Sequence, residues 1–232
     1  MKQKYPQTTY LKDYTPPPFL VDKVDLEIDL GEEWSTVKAR LCFRCNPDFE
    51  DENSTLVLDG QNMELQKIRL DKLEINPNHY SVDESHLTIT GVSKKFELET
   101  EVRIQPQNNT ELEGLYKSGQ IFCTQCESEG FRKITYFIDR PDVMSLFSTK
   151  ITADNGKYPI ILSNGNPVES GEMDDGRHWI KWVDPYLKPS YLFALVAGNL
   201  LHIEDKFTTA SGRDVRLRIY VEPENIEYCK HA

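Results

Sequence analysis

Two-residue alternation of apolar and polar side chains, repeated in several separate segments, is the feature that most limits what this chain can fold into. Val24, Leu26, Ile28 and Leu30 alternate with Asp25, Glu27 and Asp29. Val37, Ala39, Leu41, Phe43 and Cys45 alternate with Lys38, Arg40, Cys42 and Arg44. The pattern returns where Phe96, Leu98, Val102 and Ile104 alternate with Glu97, Glu99, Glu101 and Arg103, and where Leu217 and Ile219 alternate with Arg216 and Arg218. Successive side chains of a strand point to opposite faces, so each segment serves both a core and water only as a half-buried strand. Turn signals separate the runs: Asp154-Asn155-Gly156, Asn164-Gly165, Asp174-Asp175-Gly176 and Ser211-Gly212. The expected fold class is all-β, a large and mostly antiparallel sheet or β-sandwich.

One short helix is expected from Asp139 to Phe147, with Asp139 as cap, Pro141 in the first turn, and Val143, Met144 and Phe147 offering an i, i+4 contact. Pro16-Pro17-Pro18 reads as a stiff extended lead-in to the first strand. A domain boundary is expected near Gly198-Asn199, after an apolar strand from Tyr191 to Ala197, giving a β domain over 1–199 and a second unit over 200–232. That second unit reads as one hairpin, Phe207 to Val221 folded at Ser211-Gly212, followed by a short polar tail. A lone hairpin is marginal in water, so it looks like the opening of a further domain.

The chain has 232 residues, long enough to bury a core without disulfide staples. Its 27 basic and 38 acidic residues leave a net charge of -11, which repels phosphate backbones and argues against nucleic acid as a partner. The acidic run Asp48, Glu50, Asp51 and Glu52 reads as solvated loop. The leading residues lack the apolar core of a secretory signal, and no apolar run approaches the roughly 20 residues that span a bilayer, so no membrane partner is expected. Five cysteines, an odd number, fit a reducing compartment, and a cytoplasmic location is the expectation. Without a secretory route, the sequons at Asn53-Ser54-Thr55 and Asn108-Asn109-Thr110 carry no weight.

Cys42-x-x-Cys45 and Cys123-x-x-Cys126 together imitate a four-cysteine zinc site, but residues three apart in a strand face opposite ways, so small half-buried hydrophobes are the preferred reading. His202-Ile203-Glu204 matches half of a zinc deaminase signature whose P-C-x-x-C half is missing. His79, His86, His178, His202 and His231 include no H-E-x-x-H and no close pair, so no metal site is expected within the chain. No G-x-S-x-G, P-loop or G-x-G-x-x-G is present. The strand His178 to Val183 puts His178, Ile180 and Trp182 on one face. Core packing is preferred there over a carbohydrate or base platform built on Trp179 and Trp182.

In C-T-Q-C-E-S-E-G-F-R-K-I-T-Y-F-I-D-R, Cys123 to Arg140, Gln125 and Glu127 stand two apart in a segment that looks extended, which would point both to one side. A carboxylate beside an amide carbonyl suits a primary ammonium group, which has three donors and no acceptor. On pattern alone, a polar strand face making cross-strand contacts is the preferred account of the pair.

T-Q-C-E-S-E-G-F-R at Thr124 to Arg132, continuing as I-T-Y-F-I-D-R-P-D at Ile134 to Asp142, resembles zinc-dependent, gluzincin-type metallopeptidases of the aminopeptidase N kind, in their bacterial cytosolic form. The likeness extends to L-E-G-L-Y-K-S-G at Leu112 to Gly119, Y-P-I-I-L-S-N-G-N at Tyr158 to Asn166 and L-F-A-L-V-A-G at Leu192 to Gly198. It implies a saddle-like N-terminal β domain over 1–199 and the first strands of a thermolysin-like catalytic domain from Leu200. It also implies that Glu127 and Gln125 bind the free α-amino group of a peptide substrate. The G-A-M-E-N and H-E-x-x-H segments of that family are absent from these 232 residues. The expectation is therefore an N-terminal fragment, inactive alone, whose partners are the peptide N-terminus and its own zinc-binding catalytic domain. A noncatalytic scaffold or binding module on the same fold is the alternative.

Overall fold

The computed structural model describes residues 10–49 and 54–231; Glu50 to Glu52 of the acidic run, Asn53 of the first sequon, the leading residues 1–9 and the side chain of His231 lie outside the described residues. The largest sheet has eight strands. Its order is Asn166–Glu172 (β13), Arg177–Pro189 (β14), Met144–Asp154 (β11), Phe19–Asp29 (β1), Ser35–Cys45 (β2), Lys95–Ile104 (β8), Glu64–Leu70 (β4) and Leu73–Glu74 (β5). Every neighbouring pair is antiparallel except β1 with β11. A three-stranded sheet comprises Thr55–Asp59 (β3), His86–Thr90 (β7) and Tyr80–Val82 (β6). A four-stranded one runs Ile160–Ser163 (β12), Leu195–Gly198 (β15), Ile121–Gln125 (β10) and Gly114–Ser118 (β9).

The alternation in sequence is the alternation in burial. Val24, Leu26 and Ile28 of β1, Val37, Ala39, Leu41 and Phe43 of β2, and Phe96, Leu98, Val102 and Ile104 of β8 are all buried. Their polar neighbours line the other face. These inward residues join Leu56 and Leu58 of β3, Leu87 and Ile89 of β7, Phe122 of β10 and Leu195 of β15 in one contiguous core. The large sheet is thus covered on one side by the two smaller sheets. Ile180 and Trp182 pack against this core, while half-buried Trp179 lies under Lys150 Nζ, which is 4.3 Å from its ring centroid.

The helix expected from Asp139 to Phe147 does not form. Val143, Ser145, Phe147, Thr149, Ile151 and Ala153 are buried in a period of two, and Met144–Asp154 is an 11-residue strand. Two polar residues at inward positions disguised that period. Ser145 is tolerated inside because its Oγ donates to the Val21 carbonyl at 2.6 Å.

Beyond Gly198 the chain forms Leu201–Thr208 (β16) and Asp214–Val221 (β17), a two-stranded sheet whose strands pair only with each other. The hairpin turns around Gly212, at φ +79°, as its sequence signal indicated, but its first strand begins at Leu201 instead of Phe207. The polar tail is a 3-10 helical run, Pro223–His231. Most side chains of the hairpin are exposed, Leu201, Phe207 and Leu217 among them.

Candidate functional site

Gln125 is the last residue of β10, and Glu127 lies in the turn after it. The extended segment expected to carry both therefore ends between them, and the same-face rule for strands stops applying at Cys126. The outward direction survives for a different reason. Cys126 is 3% exposed and anchors the turn inward, while Gln125 and Glu127 on either side of it are exposed. Gln125 Nε2 donates to the backbone carbonyl of Glu127 at 3.3 Å, and the peptide bond from Glu127 to Ser128 is cis. The Glu127 carboxylate makes no hydrogen bond or ion pair with any described residue. An acceptor-only carboxylate and an amide oxygen therefore stand together on the surface, free to receive a donor-only group.

The residues behind the pair fix its position. β10 is held on both sides, with Gln125 opposite Gly114 of β9 and Cys123 opposite Val196 of β15. Thr124 Oγ1 accepts from the Leu195 amide at 2.9 Å, locking the strand end to β15. The turn closes through a hydrogen bond from Gly130 N to Cys126 O, 2.9 Å long. A Cβ on Gly130 would come within 2.5 Å of the Gln125 carbonyl oxygen, so only glycine fits there. Burial, followed by the charge of Asp139, pushes the Cys126 thiol up to about 12. It is a neutral packing group and not a nucleophile or ligand at neutral pH.

Phe131 is fully buried against Phe137, Phe147 and Phe193, with ring centroids 5.1, 5.9 and 5.3 Å away. The next residue, Arg132, donates through both its backbone N and its Nε to Asp139 Oδ2, each at 3.1 Å. Lys133, 8% exposed, is clasped by Glu111 and by Glu113, the latter at 2.6 Å. Sequence reasoning missed these pairs and assigned Asp139 to a helix cap. The available signal was the position of Arg132, Lys133 and Asp139 within an otherwise apolar run, since charges buried in such a run must be paired.

Other candidates separate in space. Cys42 and Cys45 lie on β2 of the large sheet, whereas Cys123 and Cys126 belong to the β10 region of the four-stranded sheet, and all are free thiols. Among the described residues, no group of three or more His, Cys, Asp or Glu could hold a metal ion, and no helix is long and apolar enough to cross a membrane. A concavity of about 540 Å³, lined in part by Trp34, Met63, Arg103, Leu115 and Lys133, includes neither Gln125 nor Glu127. The pair sits on open surface.

Comparison with known proteins agrees with this architecture. Residues 14–192 match the peptidase M1 N-terminal domain. Aminopeptidase N of Caulobacter vibrioides is 50% identical over 232 residues, covering 100% of this chain and 26% of that protein. Aminopeptidase N of Escherichia coli is 44% identical over 225 residues, covering 96% and 25% respectively. The chain thus spans about a quarter of the length of these relatives. Among solved structures, Legionella pneumophila aminopeptidase A in complex with aspartic acid superposes with a TM-score of 0.90 at 36% identity, over 95% of this chain and 26% of that one. An M1 zinc metallopeptidase of Deinococcus radiodurans, at 14% identity and a TM-score of 0.74 over 89% of this chain and 48% of that one, shares the fold. With the family model matching most of its length, this chain belongs to the peptidase M1 N-terminal domain family.

Proposed function

We propose that this chain is the substrate-anchoring β domain of a zinc-dependent aminopeptidase, in which the Glu127 carboxylate and the Gln125 amide oxygen receive the free α-ammonium group of a peptide. The observation that carries the reading is the unpaired, exposed Glu127 carboxylate beside Gln125 on a turn held rigid from behind. An exopeptidase must detect a chain end, and the N-terminal ammonium is the feature every substrate shares. The relatives named aminopeptidase N, at 44% and 50% identity, support the same activity class.

The described residues offer no metal set, and the zinc that activates water in such enzymes is assigned to a catalytic domain outside these 232 residues. By itself the chain anchors and does not cleave. The open position of Gln125 and Glu127 fits a site that a second domain completes. We place the domain boundary near Gly198-Asn199, supported by the self-paired hairpin β16–β17 and by a family match that ends at residue 192. A cytoplasmic location goes with the same reading.

The test is kinetic. In the full-length enzyme, Glu127→Ala should lower kcat/KM on an alanyl chromogenic substrate about ten- to a hundredfold, the value of a charge-assisted hydrogen bond of about 1.5–3 kcal/mol. Zinc content should not change. Near-wild-type kinetics would contradict the assignment.

A further inference from the structure

We propose that Arg132, acting with Asp139, is a positioning residue for the Glu127 carboxylate, an inference that rests on Glu127 being the ammonium receptor. The turn carrying Glu127 runs from Cys126 to Gly130, and between those two buried ends Glu127, Ser128 and Glu129 are exposed. Two residues beyond it stands the Arg132 guanidinium, 16% exposed, on which three parts of the chain converge. Arg132 Nε and its backbone N share Asp139 Oδ2 at 3.1 Å each, and Nη2 donates to the Asp139 carbonyl, also at 3.1 Å. Nη1 stands 3.6 Å from Asp59 Oδ1 at the end of β3. Nη2 also lies 3.4 Å from Glu129 Oε2, two residues past Glu127 and on the turn itself.

The partners are themselves tied down. The Asp139 side chain is fully buried; its Oδ1 accepts from Ser190 Oγ at 2.6 Å, just before the β15 strand that flanks β10. Asp59 Oδ2 accepts the Asp139 amide at 3.1 Å. The Arg132 carbonyl accepts from Gln61 N at 2.9 Å.

A buried ion pair of this kind adds little net stability compared with apolar packing, and the Phe131 cluster beside it already supplies packing. The network supplies a fixed geometry instead. It ties the turn residue Glu129 to β3, to the segment at Asp139 and to the lead-in of β15, and so sets the height and direction of Glu127 above the sheet. A displacement of about 1 Å at a positioned group can cost up to a hundredfold in rate, so a long-range brace on an ammonium receptor has functional weight.

The decisive readout separates recognition of the amine from general damage. In the full-length enzyme, L-alanine hydroxamate and propionohydroxamate, which differ only in the α-amino group, are titrated calorimetrically against wild type, Arg132→Lys, Asp139→Asn and Glu127→Ala. Arg132→Lys and Asp139→Asn should each weaken the amino-bearing ligand about tenfold and leave the des-amino ligand within about twofold. In a Glu127→Ala background, neither should add a further loss for the amino-bearing ligand. Equal weakening of both ligands, no weakening of either, or loss of the fold in both variants would make the network purely structural and overturn the inference. If Glu127→Ala itself leaves discrimination between the two ligands intact, the receptor assignment fails, independently of Arg132. If only Glu127→Ala abolishes discrimination, the receptor stands and the positioning role falls.

Discussion

At the scale of single residues, the site depends on what is missing as much as on what is present. Gly130 has no side chain because the Gln125 carbonyl, the Gly114 amide and the Cys126 Cα occupy the space, at 2.5, 2.9 and 3.0 Å from an ideal Cβ. Each contact is with backbone and cannot swing away. Gly130→Ala should therefore destabilise the domain by about 1–3 kcal/mol, read as a lower urea midpoint, and should lower affinity for amino-bearing ligands of the full-length enzyme. An unchanged midpoint would mean that the turn yields more easily than its packing indicates. The residue types of Gln125 and Glu127, two acceptors on either side of Cys126, were legible in the sequence, and their exposure in the structure agrees. Their support was not legible: Arg132 and Asp139 stand seven residues apart with no periodic relation, and their partners Asp59 and Ser190 come from distant sequence.

At the scale of elements, period-two patterning located β1, β2 and β8 because their inward residues are mostly apolar. It failed at β11, where Ser145 and Thr149 take inward places. The outward faces held topological information as well. Acidic β1 lies beside basic β2, then acidic β8, then basic β4, with Asp25 opposite Arg40, Arg40 opposite Glu99, and Glu99 opposite Arg69. Opposite charges thus face one another along this row, although Arg44 stands opposite Lys95 at the end of the β2–β8 ladder. The parallel pairing of β1 with β11 carries one such pair, Glu27 opposite Lys150, and joins residues more than a hundred positions apart.

Another element-scale tie joins the large sheet to the four-stranded one. Glu32, in the β1–β2 loop, meets Lys117 of β9 at 2.8 Å and the Tyr158 hydroxyl at 2.7 Å. The Lys117 hydrogen bond first, and that of Tyr158 second, lower the Glu32 carboxyl from 4.5 to about 2. Because the folded value is depressed, this contribution is full above pH 4.5 and disappears as pH falls towards 2. Glu32 is 46% exposed, so solvent screens the effect. Glu32→Gln should lower Tm by about 2 °C at pH 7 and flatten the decline of Tm between about pH 4.5 and 2, measured by calorimetry in low salt. Parallel wild-type and variant curves across that window would show that the tie contributes nothing.

For the whole molecule, the all-β class and the hairpin after Gly198 could be read from sequence, whereas the division of the cover into two smaller sheets could not, since it depends on pairings such as Phe122 with Ala197 across a long sequence gap. The architecture is a broad sheet with one face buried and a surface turn at one cover sheet, carrying two acceptors that no described group satisfies. Under the proposed function, these acceptors supply recognition of the substrate's amino end, and bond cleavage belongs to a catalytic domain outside these 232 residues. The most direct measurement is a crystal structure of the full-length enzyme with L-alanine bound, from which the distance between the α-ammonium nitrogen and the Glu127 carboxylate is read. The expected result is a separation of about 2.7–2.9 Å, with the Gln125 amide oxygen as a second acceptor. An ammonium group held by other residues, with Glu127 left facing solvent, would contradict the assignment.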